Sequence, residues 1–263
     1  MLRDPNSFLA SDFPDVLRKI RARTPARILA GRAGAAYRTS TQLELREAHA
    51  AARDAVRAEL DLDSVFGAEF LERWNLFEVC TEARDKQEYL LRPDLGRRFP
   101  EAAIRELHRR CPRNTDFQIA IGDGLSVTAV AAQVPALMPL LQEGAGAHGW
   151  TVGNPFVIRH CRVGILNDLG ERLAPKVAVL LIGERPGLAT AESLSAYMAY
   201  QPGKSHTDAN RNLISNIHSR GLQPPEAASR ILNLAARIMA LQTSGYSIRE
   251  QLPPPAGNLV LPP

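Results

Sequence analysis

Val177-Ala178-Val179-Leu180-Leu181-Ile182, followed at once by Gly183-Glu184-Arg185-Pro186-Gly187, is the stretch from which the fold can be read. Six apolar residues without polar alternation predict a strand covered on both faces, as in a sheet flanked by helices. The Gly/Pro turn that ends it sets a carboxylate and a guanidinium at the strand's carboxyl end, where open α/β sheets bind ligands. Glu184 can accept hydrogen bonds from ligand amides, and Arg185 can grip a carboxylate or phosphate with two parallel donors. The alternative at this point is an internal Glu-Arg pair that only shapes the loop.

Upstream of this strand, Phe117 to Ile121 is strand-like, Gly122-Asp123-Gly124 is a turn, and Leu125 to Leu141 returns to helical spacing. Asp123 is therefore either part of a ligand site or a cap on the following helix. Phe156 to Ile165, with several β-branched residues, reads as a further strand. Downstream, helical spacing covers Leu194 to Tyr200 and Glu226 to Leu241, and Asn212 to His218 reads as a loop or short strand. Alternating strands and helices predict an α/β fold with an open, mostly parallel, Rossmann-like sheet. Before Pro112 the chain reads as mainly helical. Thr41 to Leu60 carries no Gly or Pro and spaces Leu43, Leu45, Ala48, Ala52 and Val56 helically, with Ser40 or Thr41 as cap and Glu44 three residues beyond Thr41. A second helical stretch, Val65 to Tyr89, stops before the turn at Arg92-Pro93-Asp94-Leu95-Gly96. The division is thus a helical region over 1–112 and an α/β region over 113–263, whose tail with Pro253-Pro254-Pro255 and Pro262-Pro263 is expected to be extended or disordered.

The composition narrows the function. The 263 residues, 45% of them hydrophobic, can build a sizeable core, and no apolar run reaches the roughly 18 residues of a membrane helix. Asp4 and Asp12 near the N-terminus do not fit a basic-then-apolar signal segment, and residues 6–20 are only modestly amphipathic, so a cytoplasmic location is expected. The 32 basic residues are interspersed with 28 acidic ones, a solvated mixed surface that gives no footprint for nucleic acid. Cys80, Cys111 and Cys161 are widely spaced and unsuited to a disulfide framework, and the six histidines show no ligand spacing for a metal. Gly144-Ala145-Gly146-Ala147-His148-Gly149 matches the dinucleotide fingerprint in letters. It stands between a helix and a later strand, the reverse of the order such a site needs, and is expected to be a loop. Ser126, Ser195 and Ser215 lack a nucleophile elbow.

Several segments, in order, resemble a known family. Thr24-Pro25-Ala26-Arg27-Ile28 with Gly31-Arg32-Ala33-Gly34, His49 with Ala52 to Val56, Arg92 to Arg98, Asp123-Gly124-Leu125-Ser126, Leu181 to Leu188 and Ile214-Ser215-Asn216-Ile217 are similar to segments of ethanolamine ammonia-lyase small subunits, from about Thr24 to Gly245. The resemblance implies a hetero-oligomer with a large barrel subunit. Together the chains would hold adenosylcobalamin and convert ethanolamine to acetaldehyde and ammonia by radical chemistry, free in the cytoplasm or inside a bacterial microcompartment. It assigns the substrate contacts to the large subunit, hence no catalytic residue to this chain. It implies cofactor contacts at Val163, Glu184 and Leu213. At the last position the chain departs from the family, which often has Cys before Ile-Ser-Asn-Ile, so any role for sulfur is lost. The chain also lacks the Asp-x-His-x-x-Gly signature of cobalamin proteins that replace the lower base with histidine, so the lower base is expected to stay on cobalt. Two other readings stand beside this one: a solitary module that uses the same turn to hold cobalamin or another nucleotide-like ligand without a lyase partner, and, less compatible with the glycine placement, a nicotinamide enzyme.

Overall fold

The computed structural model describes residues 32–186 and 190–250 and a few positions before them: 15, 19–20, 22–23, 28 and 30. Thr24 to Arg27, Gly31, Gly187, Leu188, most of 6–20 and the proline-rich tail lie outside the described residues.

A short antiparallel pair, β1 (Arg32–Ala33) and β2 (Ala36–Tyr37), precedes helices α1 (Thr39–Arg57) and α2 (Leu62–Arg73). Then come β3 (Phe77–Cys80), α3 (Lys86–Leu91), α4 (Glu101–Arg110), β4 (Phe117–Gly122), α5 (Val127–Ala147), β5 (Phe156–Arg159), α6 (Ile165–Leu173) and β6 (Val177–Gly183). The chain ends in β7 (Leu194–Tyr200), β8 (Asn212–Ile217) and α7 (Pro224–Leu241). The six longer strands form one sheet in the order β3-β5-β4-β6-β7-β8. The first four are parallel, and β7 and β8 continue the sheet as antiparallel neighbours, making it mixed but mostly parallel.

The two-sided burial expected of β6 is seen residue by residue. Val177, Val179 and Leu181 enter a core with α5 and α7, while Ala178, Leu180 and Ile182 enter a second core with α4 and α6. Because the chain leaves β4 toward β5 but leaves β6 toward β7, their carboxyl ends flank a topological switch point, the usual place for a ligand crevice.

Five expectations are corrected. Val65 to Tyr89 is not one helix. Gly67 breaks α2 with φ 72°, Asn75 reverses the chain with φ 45°, and Phe77 and Val79 turn inward as β3 pairs in parallel with β5. One strand of the sheet thus comes from before residue 112, and Leu60, Phe66 and Leu76 share the core of α5. Leu194 to Tyr200 is a strand: all seven residues pair with β6, and that ladder with the burial of Leu194, Ala196 and Met198 outweighs a helical spacing too short to nucleate alone. Neither Ser40 nor Thr41 caps α1, which begins at Thr39 after Arg38. Gly144 to Ala147 is not loop but the last turn of α5, where a side chain at Gly144 would collide with Leu232 of α7. Residues 212–217 resolve as strand β8, while β5 ends at Arg159, short of the strand expected through Ile165.

Candidate functional site

Three turns meet at the carboxyl ends of β4, β5 and β6. The first is locked by Asp123, which is fully buried. Its two carboxylate oxygens accept the backbone N–H groups of His160 (2.9 Å) and Cys161 (2.8 Å), and the buried Lys86 ammonium lies 3.8 Å away. Burial pushes the Asp123 carboxyl up from its ordinary range, against the pull of Lys86 and the two amides. Asp123 is not the helix cap; with both oxygens taken by backbone amides, it joins the β4 turn to the β5 turn. The cap of α5 is Ser126, whose hydroxyl accepts the Ala129 N–H. Gly124, at φ 58°, sits against the Gly183 carbonyl, which also accepts the Leu125 N–H at 3.1 Å. Any side chain at Gly124 would collide there, so backbone contact closes this part of the crevice.

The open part is a cavity of about 320 Å³ whose walls include Tyr89, Leu125, Val163, Ile182, Glu184 and Tyr197. Glu184 follows the last residue of β6 and is half-buried. Its carboxylate accepts the hydroxyls of Ser193 (3.1 Å) and Ser195, both at the start of β7, so the rotamer is held from the protein side. A carboxylate offers about four acceptor sites, which leaves two for a ligand. Arg185 is exposed and makes no ion pair with Glu184 among the described residues, so the internal Glu-Arg pair is not formed. Burial, followed by the negative charge of Glu184, pushes the Tyr197 hydroxyl above its ordinary pKa, so it is protonated at neutral pH.

Val163 lies beyond β5, in the bend at the start of α6, rather than in a strand. The backbone reaches this bend through His160, at φ 56°, and the Tyr89 hydroxyl donates to the Cys161 carbonyl at 3.0 Å. Arg162 stacks its guanidinium 4.1 Å from the Tyr89 ring centre and donates to the Tyr89 carbonyl at 3.0 Å. Val163 and Glu184 thus face one cavity across the β4 end. Leu213 does not line it. It stands on β8 opposite Tyr197, 47% exposed, one strand outward from the wall.

A second, larger cavity of about 990 Å³ shares Arg162 and Val163 with the first and extends between α4, α6 and residues 204–211. Among the described residues no cluster of His, Cys, Asp and Glu is set to hold a metal, and no helix is long and apolar enough to cross a membrane. Sequence reading missed Ser193, Ser195, Tyr197 and Arg162. The misread strand hid the first three, since only a strand brings Ser195 and Tyr197 beside β6. Arg162 had a usable signal: it is a charge flanking an apolar strand at its ligand-facing end.

Comparison with known proteins agrees with the motifs. The model of the family "Ethanolamine ammonia-lyase light chain (EutC)" matches residues 14–249. Proteins named ethanolamine ammonia-lyase small subunit are similar to it at 41% identity in Fusobacterium nucleatum, over 88% of this chain and 76% of that protein. The similarity is 39% in Clostridium acetobutylicum, over 89% and 94% respectively, and 41% in Clostridioides difficile, over 88% and 76%.

Proposed function

Because the chain belongs to the ethanolamine ammonia-lyase small-subunit family, we propose that it supplies part of an adenosylcobalamin site completed by a large barrel subunit. The observation that carries this reading is that Val163 and Glu184, far apart in sequence, line one cavity beside the switch point of the sheet. We read the parallel strands β3, β5, β4 and β6 with helices on both faces as Rossmann-like, which puts that cavity where such sheets take ligands.

The residues fit the group in kind. Cobalamin presents an apolar ring edge fringed with amides; Val163 and Ile182 are apolar, and Glu184 has acceptor sites turned away from its serine donors. They do not fit it in size. A cavity of about 320 Å³ is at the low end even for drug-sized ligands, and cobalamin is far larger. The remaining enclosure falls to the partner, which agrees with a site between subunits.

When bound, the cofactor supplies the radical chemistry by which ethanolamine becomes acetaldehyde and ammonia. This chain's residues bind and orient. Glu184 accepts from amide or hydroxyl groups, a charged hydrogen bond contributing about 1.5 to 3 kcal/mol if desolvated. Ser193 and Ser195 keep that carboxylate from rotating to solvent, Val163 offers apolar surface, and Leu213, outside the cavity wall, would keep at most a backbone or packing contact. The chain carries no Asp-x-His-x-x-Gly signature to offer a histidine to cobalt, so the cofactor would retain its own lower base. A spectrum showing a protein histidine on cobalt in the complex contradicts that.

Co-expression with a large subunit tests the assignment. The expected result is co-elution of the two chains and deamination of ethanolamine that depends on added cobalamin. A chain that elutes alone, in a mixture without such deamination, overturns the proposal and favours the solitary binding module.

A further inference from the structure

The larger cavity contains cationic groups that the cofactor contacts above leave unused. Arg211, which precedes β8, is 5% exposed in its side chain and lines that cavity. Its guanidinium donates to Asn167 Oδ1 at 2.9 Å and pairs with Asp208, but its buried Nε has no partner. Arg97 lines the same cavity with its stem packed over Gly164, where even a β-carbon would lie 2.9 Å from the arginine Cδ. Its charge disfavours the ionised form of Arg211, whose pKa is lowered first by burial and then by this neighbour. Arg162, at the rim shared by both cavities, also has a buried Nε without a partner.

Among the carboxylates around the cavity, Asp208 answers one terminal nitrogen of Arg211, but none answers the buried Nε of Arg211 or of Arg162. Asp168 is occupied by the Phe99 N–H and Arg172, Glu171 by Lys204, and Asp94 by Arg92. Two guanidinium groups set together in a half-dry cavity, with unanswered N–H groups, call for a planar or tetrahedral oxyanion. Arginine's fork suits phosphate in particular.

We infer that Arg97 and Arg211, with Arg162 at the rim, form an anion subsite for a phosphate ester. The inference rests on the cobalamin reading for its source: the phosphodiester in the cofactor's nucleotide tail. Continuity supports that source over a free phosphate. Arg162 and Val163 belong to both cavities, so one long ligand can meet Glu184 with its amides and the arginines with its phosphate.

The test uses the assembled complex with the large subunit and two corrinoids, cobalamin and cobinamide, which lacks the phosphate and the base. Equilibrium binding is measured for the wild type, for Arg97→Gln and for Arg211→Gln. Arg97 is exposed, so its variant folds even if Arg211→Gln does not. We expect the wild type to prefer cobalamin, and Arg97→Gln to weaken cobalamin about tenfold, the loss of one charged hydrogen bond, with cobinamide affinity unchanged. A variant that weakens both corrinoids equally, or leaves the preference intact, overturns the subsite. If the wild-type complex binds neither corrinoid, the cobalamin reading fails by itself, and inorganic phosphate decides the subsite. A rise in melting temperature with millimolar phosphate that is lost in Arg97→Gln upholds an anion site fed by free phosphate. An equal response in both proteins overturns it.

Discussion

Glu184 is a charge whose position and partners were legible to different degrees. An uninterrupted apolar strand ending in Gly-Glu-Arg-Pro fixes the carboxylate at a ligand-facing end, and the fold keeps it there. Its partners were not legible, because Ser193 and Ser195 reach it only through the antiparallel return of β7. Those hydroxyls hold the carboxylate in place. Ser195→Ala removes one of two donors from a half-buried carboxylate and should weaken cobalamin binding by the complex roughly three- to tenfold, as for one hydrogen bond of about 1 kcal/mol. Binding isotherms of the variant complex check this, and an unchanged isotherm would mean that Glu184 needs no positioning. Gly183 is constrained in another way: a side chain there would press into the Ser126 carbonyl. Gly183→Ala should therefore lower the chain's unfolding free energy by about 1 to 3 kcal/mol in urea titration, the usual cost of overpacking.

Among the elements, the parallel strands are tied at the end opposite the site. Asp116, just before β4, accepts the Thr151 N–H and hydroxyl, both at 2.8 Å, and pairs at 2.7 Å with Lys176 just before β6. The Lys176 ammonium, then Thr151, lowers the Asp116 carboxyl to about 2. A depressed carboxyl stabilises the fold above its unfolded pKa, near 4, and that stability is lost as pH falls toward the folded value. The group is partly exposed to solvent, which screens the ion pair. Asp116→Ala should thus cost about 1 kcal/mol at pH 7 in urea unfolding, with the gap to wild type closing between about pH 4 and pH 2. A gap independent of pH would assign the loss to packing. Elements were readable where periodicity was long, as in α1, α5 and α7, or where a run was wholly apolar, as in β6. Short edge and return strands were not. Phe77 to Cys80 and Leu194 to Tyr200 become strands only because β5 and β6 offer them a ladder, a tertiary cause that local spacing does not carry.

For the whole molecule, the two cores on either side of the sheet leave the carboxyl-end crevice partly closed by the contact between Gly124 and Gly183 and partly open between Val163 and Glu184. An open half of this size suits a ligand held jointly with another chain. That architecture explains why family resemblance, rather than composition or spacing, pointed to Val163: the apolar residue is one of many until the fold sets it opposite Glu184. It also leaves Leu213 apart, on β8 and outside the cavity wall. We propose Glu184 as this chain's polar contact to a cobalamin shared with a large subunit. Cobalamin affinity of the two-chain complex, compared by equilibrium dialysis between wild type and Glu184→Ala, tests it most directly. A loss of roughly tenfold or more, equivalent to at least about 1.4 kcal/mol, is expected while the two chains still co-elute. Unchanged affinity in an intact complex would contradict it.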